Sequence, residues 1–157
     1  MVEIKQYEQS MQLAVEKFYA DCFAVLGWGL DLSDRHSDIR NIGEEYMRGG
    51  MFWCAFEGGT LIGTVAVRQI DDNGEIAELK RFYVLPEFQG KGFGRLLFKT
   101  ALDFAKASEF RVIRLDTQKN RSASRHLFES HGFRLIEKYN QNAYAELFYE
   151  LWLKKET

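Results

Sequence analysis

Gln89-Gly90-Lys91-Gly92-Phe93-Gly94-Arg95 concentrates the residue types that hold a phosphate. Glycines at alternate positions reach backbone angles closed to other residues and let a ligand approach the main chain without meeting a Cβ. Phe93, Leu96, Leu97, Ala101, Phe104 and Ala105 recur at helical spacing, which predicts a helix from Gly92 to Ala107. The free N–H groups of its first turn, at the positive end of its dipole, then fall on the glycine loop. Lys91 and Arg95 add side-chain charge. Other reactive groups are sparse. Cys22 and Cys54 are isolated, with no CxxC, and form neither a disulfide framework nor a zinc site; Cys54, in the apolar run Met51 to Phe56, reads as a small core residue. His126 and His131 stand five apart on one short predicted helix, the wrong spacing for a shared metal face, so no metal is expected.

The elements that must position this loop follow from the changing period of the apolar residues. A first strand over 2 to 8 is followed by a helix from Ser10 to about Val25, in which Met11, Val15, Phe18, Tyr19 and Cys22 share a face. Ser33 or Asp34 caps a second, polar helix that runs to Gly49-Gly50. Strands Met51–Phe56, Leu61–Ile70 and Ile76–Leu85 follow, joined by Gly58-Gly59 and Asn73-Gly74 hairpin signals. The Gly92 helix leads to a strand from Arg111 to Thr117, a parallel crossover. A helix from Arg121 to His131 ends at Gly132, and strands Phe133–Tyr139 and Tyr144–Leu153 close the chain. The order β-α-α-β-β-β-α-β-α-β-β predicts an α/β chain of the α+β type: a mixed, mostly antiparallel sheet covered by helices, in a single domain spanning 1–157.

The third of the three consecutive strands carries charge on both faces. Strict alternation groups Ile76, Glu78, Lys80, Phe82 and Val84 on one side, and Ala77, Leu79, Arg81 and Tyr83 on the other. A central strand buries both sides, so either a bulge re-aims Lys80 or Arg81, or these charges line a cleft. A structural pair between Glu78 and Lys80 or Arg81 is the plainer alternative.

The phosphate ligand narrows by elimination. GxxxxGK[ST] is absent, and GxGxxG fails because its third position is Arg95 or Leu97. What remains is Gln89-x-x-Gly92-x-Gly94 after a strand ending Val84-Leu85-Pro86. Together with Asn120-x-x-Ala123-x-x-x-Leu127-Phe128-x-x-x-Gly132-Phe133 and the element order, this closely resembles the GCN5-related N-acetyltransferase (GNAT) family over nearly the whole chain.

The resemblance implies a fold whose fourth and fifth strands splay apart, and acetyl-CoA as co-substrate. Its pyrophosphate would bind Gln89, Gly90, Lys91, Gly92, Phe93, Gly94 and Arg95, its pantetheine would run along Phe82 and Val84 like an added strand, and Asn120 and Phe128 would also contact it. It further implies transfer of the acetyl group to a primary amine by direct attack in a ternary complex. Glu78, eleven residues before Gln89, matches the general base of histone-type members. The tyrosine that often serves as acid is replaced by Phe128, which leaves the acid unassigned: water protonates the leaving thiolate, or Tyr83, Tyr139 or Tyr144 substitutes. Phe18, Trp28, Trp53, Tyr144 and Phe148 are candidates for an acceptor wall. A non-catalytic acyl-CoA sensor or interaction module on the same fold is the rival reading.

Charge refines the expectation about the acceptor. The total, 21 basic against 23 acidic residues, excludes a generally basic nucleic-acid binder. Met1 to Glu78 carries 6 basic and 14 acidic residues, a balance of −8; Leu79 to Thr157 carries 15 and 9, a balance of +6. The basic half holds the loop expected to bind a polyanion. The acidic half, with Asp21, Asp31, Asp34 and Asp38, predicts a cationic acceptor such as a polyamine, a lysine-bearing peptide or an amino sugar, solvated helix faces and N-caps being the plainer explanation for most of these residues. No apolar run is long enough for a membrane span, and the start lacks a signal-peptide pattern, so a cytoplasmic location is expected; a homodimer is left open.

Overall fold

A computed structural model describes residues 1–153. Strands β1 (Val2–Gln6), β2 (Met51–Glu57), β3 (Thr60–Gln69), β4 (Ile76–Val84), β5 (Val112–Thr117), β6 (Arg134–Ile136) and β7 (Leu147–Trp152) form one sheet in the order β1-β2-β3-β4-β5-β7-β6. Every pairing is antiparallel except β4 with β5. β3 lies near the middle, and its unbroken apolar run is covered on both faces: Leu61 to Val67 are all buried.

Helix α1 (Gln12–Val25) covers one face, burying Val15, Phe18, Tyr19, Cys22 and Phe23 at the spacing of an amphipathic helix. These pack with Tyr46, Phe52, Cys54 and Ala66 into one core. Helix α4 (Phe93–Ala107) covers the other face with Leu97, Phe98, Ala101, Leu102 and Ala105, and joins Val65, Val67, Ala77, Leu79 and Ile113 in a second core. Among the described residues, no helix is long and apolar enough to cross a membrane.

Two predicted elements come out shorter. The polar helix expected from Ser33 or Asp34 to Gly49 is two four-residue turns, α2 (Ser37–Arg40) and α3 (Ile42–Glu45). Asn41 separates them with non-helical angles, while its side-chain amide donates to the Ser37 carbonyl. The C-terminal strands retreat to Arg134–Ile136 and Leu147–Trp152 because the segment between them folds on its own side chains. Asn140 Oδ1 accepts from the Asn142 N–H and Asn142 Oδ1 from the Tyr144 N–H, bonds that replace a strand ladder with turns. The last helix, α5 (Ser122–Ser130), buries Phe128 alone.

Candidate functional site

The parallel pair β4–β5 is joined only at Ile76–Glu78 and Val112–Arg114. Beyond these residues the strands part, and among the described residues β4 from Leu79 to Val84 has no strand partner on that side. Backbone donors and acceptors so exposed must meet water, another segment or a ligand. Two cavities open on the split. One, of about 490 Å³, lies between β4, the glycine loop and the start of α5; the other, of about 390 Å³, lies between β4, β5 and the loop before β7. They share Phe82, Tyr83, Arg121 and Ser124.

The larger cavity gathers Phe82, Val84, Gln89, Gly90, Gly92, Gly94, Arg95 and Asn120. Gln89 braces the loop by donating its side-chain amide to the Val84 carbonyl, 2.9 Å away. Gly92 caps α4 with φ at +88°, a conformation that demands glycine. Gly94 is different: it sits in the first turn of α4, and a Cβ there would meet Phe82 and Val84 at 3.7 and 3.8 Å, ordinary contact. The fold has room for alanine, which helices prefer by about 1 kcal/mol. The missing Cβ instead leaves the helix N-terminus open to the cavity, as a ligand lying on the backbone requires. Three residues expected at this site do not line the larger cavity. Lys91 is exposed with its ammonium 5.4 Å from the Phe88 ring centre, Phe93 packs against Phe88, and Phe128 turns into the core among Phe82, Phe98 and Phe133 while lining only the smaller cavity.

Glu78 does not reach either cavity. Its side chain is 1% exposed, and its oxygens are engaged by the Arg68 Nε (2.9 Å), the Tyr139 hydroxyl (2.6 Å) and the Asn140 amide (3.1 Å). Burial pushes the carboxyl up, but Lys80, Arg68, Tyr139 and Asn140 together hold it below the usual range. Glu78, expected as the base acting directly or through a relayed water, is thus already paired and does not line either cavity. Its ion-pair partner is Arg68, not the Lys80 or Arg81 of the alternative structural reading.

The carboxylate that does line the smaller cavity is Asp116, at the C-terminal end of β5. The Asn140 amide spans the two acids, donating to Asp116 Oδ2 at 2.6 Å as well as to Glu78, and Asn142 donates to Asp116 Oδ1 at 3.2 Å. Asp116 was missed from sequence. Its signal was its place at the end of a short apolar strand leaving the parallel pair, the side of an open sheet where ligands gather.

A bulge separates the two ends of β4. Ala66 faces Lys80 and Thr64 faces Tyr83, so β4 carries an extra residue there, and Arg81 takes φ +52°. Alternation therefore changes phase: Phe82 and Val84 join the core with Ala77 and Leu79, while Tyr83 packs with Tyr19 and Phe23. The Arg81 carbonyl accepts from the Thr64 hydroxyl, and its guanidinium grips Asp38 at 2.7 and 2.8 Å. Tyr46 completes the Asp38 carboxylate. Burial disfavours the Asp38 charge, yet the Arg81 bonds hold its pKa below normal. Neighbouring His36 is lowered by burial and by Arg81 and Arg35; its Nδ1 accepts the Asp31 N–H at 2.9 Å.

Of the tyrosines, Tyr83 stands where the two cavities join, and burial raises its pKa so that the hydroxyl keeps its proton. Tyr144 lies at the outer wall of the smaller cavity, 55% exposed beneath the Arg35 guanidinium, and Tyr139 is committed to Glu78. Trp28 and Tyr144 line the smaller cavity; Phe18, Trp53 and Phe148 belong to the core. Cys22 borders the larger cavity, but burial pushes its thiol up to about 11, which leaves almost no thiolate at neutral pH.

Comparison with known proteins agrees with this architecture. Residues 13–133 match the family model described as acetyltransferase (GNAT) family. An N-acetylaspartate synthetase of Danio rerio is 33% identical over 103 residues, 64% of this chain and 36% of that protein. The chain thus spans about a third of the length of the curated relatives of that name. An acetyltransferase of Streptococcus agalactiae superposes with a TM-score of 0.85 at 29% identity, covering 97% of this chain and 98% of that one. A putative acetyltransferase of Salmonella typhimurium, solved with its cofactor acetyl-CoA, shares the fold with a TM-score of 0.75 at 23% identity, over 100% and 96% of the two chains.

Proposed function

The chain belongs to the acetyltransferase (GNAT) family, and from that membership we propose that it transfers an acetyl group from acetyl-CoA to a primary amine at the split between β4 and β5. The observation that carries this reading is the meeting of two cavities at Phe82, Tyr83, Arg121 and Ser124, one built for a phosphate-bearing arm and one lined by a carboxylate. An acyl-CoA sensor needs only the first.

The residues suit the co-substrate. Gly90, Gly92 and Gly94 bare the N-terminus of α4 for the pyrophosphate, Arg95 adds charge, and the unpaired edge of β4 at Phe82 to Val84 suits the amide groups of pantetheine. Bound there, acetyl-CoA supplies an acetyl group activated as a thioester, which the amine takes as free CoA thiol leaves. An amine enters as an ammonium and must lose a proton before it attacks. Asp116 receives that proton, directly or through one water, while Asn140 and Asn142 fix its two oxygens. Glu78 acts one step back: held by Arg68 and Tyr139, it anchors the Asn140 amide that orients Asp116. Tyr83, protonated beside the junction, is positioned to return a proton to the leaving sulfur. Burial raises the Cys22 thiol to about 11, which makes it a poor acyl carrier and favours direct attack by the amine. Weighing both amine and protein after incubation with isotopically labelled acetyl-CoA tests the proposal: label on the amine supports it, and its absence across a broad amine panel overturns it.

A further inference from the structure

The smaller cavity has the wrong charge for a polycation. Asp21, Asp31, Asp34 and Asp38, the residues behind the cationic expectation, do not line it. Asp21 is paired with Lys17, Asp31 binds the Ser33 hydroxyl and N–H, and Asp38 is saturated by Arg81 and Tyr46. What does line it is Arg35, Lys80 and Arg121, with Asp116 as the one carboxylate, Arg81 being neutralised by Asp38. Among the described residues, none of those three cations has a carboxylate within salt-bridge distance.

Two of the three are also held in place by aromatic faces. The Arg35 guanidinium lies 3.5 Å from the centre of the Tyr144 ring, joining the segment before α2 to the loop before β7. The Arg121 guanidinium is 5.5 Å from the Tyr83 ring centre and 5.7 Å from that of Trp28, so it leans toward this cavity although its residue also borders the larger one. Stacking on a ring orders a guanidinium while leaving its N–H fork free for an anion. A volume of about 390 Å³ is at the small end for ligand sites, about 300–1,000 Å³.

Resting on the reading of this cavity as the acceptor site, we infer that the acceptor is a small primary amine that carries a carboxylate, as a free amino acid does. Arg121, Lys80 and Arg35 recognise the carboxylate, and Asp116 meets the ammonium. The split polarity orients the molecule: the end bearing the amine turns to the lone acid, the anionic end to the cations. A polyamine would set two or more ammonium groups against this cationic lining, a like-charge clash that serves as a filter.

The test is calorimetric titration of matched amines into the protein saturated with free CoA, alongside acetyl transfer from acetyl-CoA. Alanine with alaninamide and glycine with glycinamide isolate the carboxylate, and spermidine supplies the polycation. The expected result is at least tenfold tighter binding, and at least tenfold higher kcat/KM, for the member of each pair with the extra carboxylate. Arg35→Gln, an exposed position that leaves the core intact, and Lys80→Met each erase most of that preference with the affinity for acetyl-CoA unchanged. Equal affinity for acid and amide, a preference for spermidine, or no binding of any of these amines overturns the inference. An acid that binds as expected but is never acetylated tells instead against the transferase reading.

Discussion

At the scale of single residues, the site turns on the difference between a carboxylate that is charged and one that is available. Glu78 is charged but fully engaged, and Asp116 presents itself to the cavity. Asp116→Asn keeps the shape but removes the proton acceptor, and its single carbonyl oxygen can accept from only one of the two positions where Asn140 and Asn142 now donate. It is expected to lower kcat/KM for the amine by about 10²–10⁴-fold, the span typical of lost acid–base catalysis, with no change in acetyl-CoA affinity. Undiminished turnover would return the role to another group. The distinction between the two acids was not legible in sequence, because Glu78 meets Tyr139 and Asn140 across 61 and 62 positions and no local pattern announces such contacts. The glycine loop was legible because its chemistry is written in consecutive residues.

At the scale of elements, the bulge in β4 and the first turn of α4 decide what faces the split. Charges on both faces of β4 called for either a bulge or a charged cleft, and the structure has the bulge: the extra residue at Arg81 turns the guanidinium from the strand surface to Asp38, 43 positions away. The distant partner could not be read from the chain, whereas the need for one could. Polar stretches were the other weak point, since the segments around Asn41 and Asn140–Asn142 replace expected helix and strand with side-chain-bonded turns. For α4, Gly94→Val places a branched side chain over the helix N-terminus at a position of ordinary backbone angle. The variant is expected to fold, with its melting temperature within a few degrees of the parent, and to lose the thermal stabilisation that acetyl-CoA gives the parent. Stabilisation by acetyl-CoA equal to the parent's would move the pyrophosphate away from this loop.

At the scale of the whole molecule, the near-neutral total conceals buried charge that ties stability to pH. Glu78 and Asp38 have folded pKa values below their unfolded ones, and so does His36. In each case the unfolded chain binds protons more readily, so stability rises with pH. The His36 contribution is complete above about pH 6.5 and fades as pH falls below it; the carboxylate contributions are complete above about pH 4.5 and fade toward the lower folded values. The melting temperature is expected to slip modestly between pH 7 and 5.5 and steeply below 4.5, and His36→Gln to flatten the first region alone. An unchanged slope between pH 7 and 5.5 in that variant would remove His36 from the account. The halves of opposite charge also take on a different meaning: most of the acidic half is solvated or paired internally, and Arg35, one of its few cations, faces the acceptor cavity.

The central claim is direct transfer at the split between β4 and β5, and one measurement reaches it: incubate the protein with acetyl-CoA labelled in the acetyl group and with a broad panel of amines that includes aspartate and alanine, then weigh amine and protein by mass spectrometry. The account predicts label in an N-acetylated amine, free CoA thiol in equal amount, and an unlabelled protein. Label held on the protein, at Cys22 or elsewhere, or no labelled amine while acetyl-CoA remains bound, would contradict it.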